Sequence, residues 1–175
     1  MDAGMTWEKI VKLHELSRGP VRLTIEADPA QRAEIAKRLG LRGLPSLSAD
    51  LTLKPWLDGV ELTGRFKAVV EQVCGVSLEP FEQPLRGEIE VRAVPPGSSH
   101  AASLEGGELD LDLDAPDAPD QLQSESIDVA AYVIEHLALE LDPFPRKPGA
   151  TFDYQPPEAE ASPFAALAKL KNPKA

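Results

Sequence analysis

The side chains best suited to act as nucleophile, general base or soft metal ligand are few in this chain. It has one cysteine, Cys74, and three histidines, His14, His100 and His136. A structural zinc site draws four thiolate or imidazole ligands from paired motifs, and here there is no second cysteine and no HxxxH spacing. A lone cysteine also has no internal disulfide partner, which agrees with a reducing compartment, and its expected role is that of a small buried apolar residue. His136, next to Glu135 and four residues before Glu140, reads as a boundary histidine on a helix rather than a general base. No glycine-rich loop between a strand and a helix ends in Lys-Ser or Lys-Thr, so a phosphate cradle has no support. The carboxylates lie in solvated runs where nothing sets one acidity apart from its neighbours. The expectation is no catalytic residue, no metal, no cofactor and no small-molecule substrate.

Charge says more. The formal net charge is -11 over 175 residues; residues 1–92 carry 13 basic and 14 acidic side chains, residues 93–175 carry 5 and 15. Between Arg92 and Arg146 there is no Lys or Arg, while Asp110, Asp112 and Asp114 stand at the centre of an acidic run. Such a block repels phosphate and attracts Lys/Arg-rich chains, which makes Asp110, Asp112 and Asp114 candidate contacts for a basic partner. The basic residues that collect anywhere are Arg32, Lys37, Arg38 and Arg42, with Arg65 and Lys67 on the outward side of an expected strand. Arg38, Arg42, Arg65 and Lys67 are therefore the candidate RNA contacts, set against the plainer reading of a solvated helix face. A third candidate surface is the tail SPFAALAKLK, residues 162–171. Phe164, Leu167 and Leu170 recur there at spacing three beside Lys169 and Lys171, a stripe that docks on the chain's own sheet or in a partner's groove. No apolar run approaches a bilayer span and no basic cluster precedes one at the N-terminus, so a cytoplasmic protein without membrane contact is expected.

The elements that must position these residues follow from periodicity. Residues 5–17 place Trp7, Ile10, Val11 and Leu13 on one helical side before Gly19 and Pro20. Residues 21–27 alternate as a strand. Asp28, Pro29 and Gln31 form the start signal of a helix over 29–39, and Gly40 its stop. Alternation returns over 46–54 and 60–70, joined by a hairpin signal at Asp58-Gly59, with Gly64 expected at a bend or bulge. Pro80 and Pro84 interrupt before a further strand through Leu85, Ile89 and Val91. Ser126 is placed to cap a helix over 127–141. The fold class is α+β: a bent or barrel-like antiparallel sheet meander with an inserted short helix and a packing C-terminal helix. Three regions are expected: an N-terminal helix and antiparallel sheet region over 1–95, an acidic linker over 96–124, and 125–175, where the helix, a Pro-rich strap and a short tail helix complete the same domain.

Three stretches in this order, VCGVSLEP over 73–80, IDVAAYVIEHLALELDPFP over 127–145 and SPFAALAKLK over 162–171, resemble the YceD family of large ribosomal RNA accumulation proteins. The resemblance is clearest over 47–95 and 127–171. Cys74, Leu78, Glu79 and Pro80 occupy the places of the family's cysteine turn and Leu-Glu-Pro, and Pro163, Phe164, Leu167, Lys169, Leu170 and Lys171 those of its terminal pattern. Where many relatives have a second cysteine this chain has Ser77, and the cysteine-rich tail of some relatives is missing, so a zinc-stabilised version of the fold is not inherited. The resemblance implies a non-enzymatic factor in accumulation of large-subunit (23S) ribosomal RNA and ribosome biogenesis. Either a basic large-subunit ribosomal or assembly protein or the rRNA itself is the direct partner; an interaction scaffold is the remaining alternative.

Overall fold

The computed structural model describes residues 7–101 and 118–152. Its centre is a five-stranded sheet in which β2 (Val21–Glu26), β3 (Gly43–Trp56), β4 (Gly59–Val73) and β5 (Pro80–Val94) run antiparallel, and β6 (Asp120–Gln121) adds parallel to the end of β5. β1 (Ile10–Lys12) pairs with β7 (Ser126–Asp128) in a separate ribbon. The expected α+β class holds, and the sheet is not a closed barrel. Strict alternation gives it one apolar face: Leu47, Leu51 and Leu53 of β3 and Val60, Leu62, Phe66 and Val70 of β4 are almost wholly withdrawn from solvent. α1 (Pro29–Arg38) packs on β3, and α2 (Val129–Leu139) covers β4 and β5 with Val129, Val133 and Leu137.

α1 forms as its start signal dictates. The Asp28 carboxylate accepts the Gln31 N–H at 2.9 Å, the Gln31 side chain accepts the Asp28 N–H at 2.8 Å, and Gly40 at φ 66° turns the chain out. The segment expected as a first helix does not form one. Val11 sits opposite Ile127 in the β1–β7 pair, and only residues Leu13–Arg18 coil, as a 3-10 helix. A partner more than a hundred residues away overrides a local 3.6-residue period. The same pairing moves the start of α2. Ser126 lies in β7, and the cap is Asp128, whose Oδ1 accepts the N–H groups of Ala130 at 3.1 Å and Lys9 at 2.9 Å.

Two further expectations are corrected. Gly64 is no bulge, since β4 keeps register with Leu51 and Ile89 on either side; a Cβ there would meet the Asp50 carbonyl and Leu51, so the neighbouring strand occupies the space of a side chain. Pro80 and Pro84 do not interrupt β5. Beyond its pairing with β6 at Ala93 and Val94, β5 is an edge strand, and there a missing N–H removes no ladder bond.

Candidate functional site

The densest set of polar contacts away from regular structure gathers around Cys74. After β4 the chain turns through residues 74–79. The Cys74 N–H is donated to the Glu79 carbonyl and the Leu78 N–H to the Cys74 carbonyl, both at 2.9 Å. The Cys74 Sγ accepts N–H groups from Val76 at 3.4 Å, Ser77 at 3.3 Å and Lys147 at 3.3 Å. The extended segment after α2 is thereby held against the turn. Gly75 N–H donates to the Pro145 carbonyl at 2.9 Å, Lys147 Nζ meets Glu79 Oε2 at 2.9 Å, and Gln72 Nε2 donates to the Asp142 carbonyl at 3.4 Å. We call this arrangement the clasp.

The clasp settles what Cys74 does. Hydrogen bonding from the Ser77 side chain, then the Ser77 and Lys147 N–H groups, draws the thiol down to about 6 against the opposing effect of desolvation. These donors favour the thiolate over the thiol. Cys74 has no exposed surface, so its sulfur organises backbone donors and is closed to an external electrophile. Burial was expected of Cys74; its role as a hub of acceptance was not. Ser77 is a donor to it, and that Cys-x-x-Ser spacing was the available signal. Lys147 had none, lying in a Pro-rich stretch without periodicity. The Lys147–Glu79 pair shifts both groups toward their charged forms, Lys147 up and Glu79 down, each through the other's hydrogen bond.

The basic candidates fall in two places. Arg38 and Arg42 lie at the exit of α1, with Arg42 Nε bonded to Glu71 Oε1 at 2.9 Å. Arg65 and Lys67 lie on the solvent face of β4, with Arg65 bridged to Glu88 at 3.0 Å. Lys67 stands opposite Arg86, and among the described residues neither has an ion pair. Elsewhere this face interleaves signs: Arg92 reaches Glu61 at 3.2 Å and lies over the Trp56 ring, 5.6 Å from its centroid. It is a mosaic rather than a basic stripe. His136 Nδ1 donates to the Tyr132 carbonyl of its own helix at 2.9 Å, which occupies that nitrogen.

Asp110, Asp112 and Asp114, and likewise Phe164, Leu167 and Lys169 of the tail, lie outside the described residues. The flanks of the acidic run are described. Ala93 pairs with Asp120, the Leu122 N–H donates to the Val94 carbonyl at 2.8 Å, and the Tyr132 hydroxyl donates to Asp120 Oδ2 at 3.1 Å. Residues 95–119 thus leave and rejoin the sheet at neighbouring points. Burial, then the Asp120 charge, raises the Tyr132 hydroxyl well above its ordinary value, keeping it a neutral donor.

Among the described residues no three of His, Cys, Asp and Glu gather as a metal would require, and no helix is long and apolar enough to cross a membrane. What these features define is an α+β sheet protein that presents charged surfaces around a sealed clasp. The family model described as "Large ribosomal RNA subunit accumulation protein YceD" matches residues 62–171, more than half the chain, and the protein belongs to that family. Involvement in accumulation of the large ribosomal RNA is the role the membership carries, and the family is described as an accumulation factor rather than by a reaction. The match takes in most of β4, the clasp, the acidic run, α2 and the tail, and leaves β2, α1 and β3 outside. No curated protein and no solved structure matches the chain.

Proposed function

We propose that this protein is a non-enzymatic factor for accumulation of 23S ribosomal RNA and ribosome biogenesis that works by binding a basic large-subunit ribosomal or assembly protein. The family match over residues 62–171 carries the first part. Charge supports the second. Residues 102–117 hold six carboxylates and no basic side chain, within a chain of net charge -11. The flanks of that run are paired at the sheet edge, Ala93 with Asp120, and a dense run of one charge raises the local concentration of a Lys/Arg-rich chain.

The test is recovery of partners from cells at low and moderate salt, before and after RNase. A basic protein that stays bound after RNase is the expected result, with association slowed roughly tenfold when Asp110, Asp112 and Asp114 are all changed to Asn. The second reading is direct rRNA contact through Arg38, Arg42, Arg65 and Lys67. What favours it is Lys67, which faces Arg86 across the strand pair with no ion pair to either among the described residues, an arrangement that an anion would relieve. If RNase releases everything and Lys67→Ala abolishes the RNA signal, that reading replaces the first.

A further inference from the structure

The two outer strands of the sheet differ in how their free edges are closed. β5 carries Pro80 and Pro84 and is covered at its end by β6, whereas β2 has no proline within Val21–Glu26 and, among the described residues, pairs with β3 alone. An edge with unbonded main-chain groups is a template for another strand. One bond tells which groups of β2 are free. The Ala27 N–H donates to the Leu47 carbonyl at 3.0 Å, so alternation turns the main-chain groups of Val21, Leu23 and Ile25 toward β3 and those of Arg22, Thr24 and Glu26 away from it. Among the described residues nothing bonds these outward groups. The side chains of the same three residues lie on the solvent face, where Arg22 and Glu26 are exposed and, among the described residues, in no ion pair. Val21 and Leu23, on the apolar face, are only half-buried.

Laid antiparallel against a second copy about a two-fold axis through Thr24, this strand is complementary to itself. Arg22 stands opposite Glu26 of the second copy and Glu26 opposite its Arg22, while on the apolar face Leu23 meets Ile25. The main chain agrees, because Arg22, Thr24 and Glu26 are the residues that must exchange bonds in this register, and theirs are the groups that point outward. Moving the axis to Leu23 or Ile25 would keep such bonds but set Arg22 or Glu26 opposite Thr24, so charge selects the register. We propose that β2 is a dimer edge: a second copy of this chain adds along Val21–Glu26 and joins two five-stranded sheets into one. The family match does not bear on this, since β2 lies before residue 62.

Sedimentation equilibrium of the full-length protein over roughly 5–500 μM tests this, a range suited to a small interface. A reversible monomer–dimer equilibrium is expected, and amide exchange at Arg22, Thr24 and Glu26 should slow as the dimer fills. Thr24→Pro removes the N–H on the axis without touching the ladder to β3, and should weaken association by more than about tenfold. Arg22→Glu and Glu26→Arg each set like charges face to face and should weaken it by roughly tenfold. An equimolar mixture of these two variants should recover the original association, because each carries the charges that the other lacks. A monomer throughout the range overturns the proposal, as does a dimer indifferent to Thr24→Pro or a pair of charge variants that stay apart on mixing. Exchange at the three amides that is slow at every concentration assigns the edge to another part of the chain and also overturns it.

Discussion

β4 ends in two turns that invite comparison, because each holds a leucine in the left-handed region. At its start the two-residue loop of Leu57 and Asp58 joins β3 to β4, with Leu57 at φ 53°; at its end the clasp holds Leu78 at φ 59°. The local backbone cost is similar, on the order of 1–2 kcal/mol for a side chain with a Cβ. The means of support differ. Leu57 lies between paired strand residues, Trp56 opposite Gly59, and its loop has one side-chain bond, Ser98 Oγ to Asp58 Oδ1 at 3.0 Å. Leu78 is fixed by its own N–H to Cys74, by a sulfur that gathers three N–H donors, and by the segment from α2. A short hairpin keeps an awkward residue mainly by strand pairing, whereas the longer turn here has an internal acceptor.

The largest effect expected from breaking that comparison is at the acceptor. Cys74→Ala leaves three N–H groups without their sulfur and should lower the thermal midpoint by roughly 5–10 °C, read by circular dichroism. Its pH dependence sharpens the point. The thiol's ordinary value is 9.0 and in the fold it is about 6, so between these the unfolded chain binds the extra proton and the folded one does not. The stabilisation is present in full above about 9, and is lost as pH falls through about 6. Denaturation midpoints of the unaltered protein should climb across that window relative to Cys74→Ala; parallel curves for the two would show that no thiolate forms.

Next in size is Leu57→Asn, which relieves the left-handed strain without touching the clasp and should stabilise by about 0.5–1 kcal/mol in urea denaturation. Leu78→Asn should gain a similar amount, since its side chain is exposed as well. Unequal gains at the two sites would mean that one of the two side chains is covered in solution. The smallest effect belongs to Glu79→Gln. The Lys147–Glu79 bridge is solvent-exposed, and its loss should be a slight destabilisation at low salt that vanishes at high salt.

What the sequence disclosed divides along the same line. α1 was legible because Asp28, Pro29, Gln31 and Gly40 act within one turn of the residues they govern. The long strands were legible because alternation is a local pattern. The β1–β7 ribbon was not, since Val11 finds Ile127 only in three dimensions, and neither was the tolerance of Pro80 and Pro84, because edge position is a property of sheet order. Within the clasp, burial of Cys74 followed from its residue type, and the loop from its glycine and proline. The Lys147 N–H bond to sulfur spans 73 residues and has no signature in either segment. The family motif drew attention to the right turn without indicating what it holds.

The pinning of Ala93 beside Asp120 carries a consequence for how this protein can vary. With both ends of the acidic run fixed at the sheet margin, the cost of joining them rises only logarithmically with the residues between, about 0.6 kcal/mol per doubling. A change in the number of residues between Ala93 and Asp120 therefore costs little at the point where the two pair, and comparison of sequences should find differences in length tolerated there.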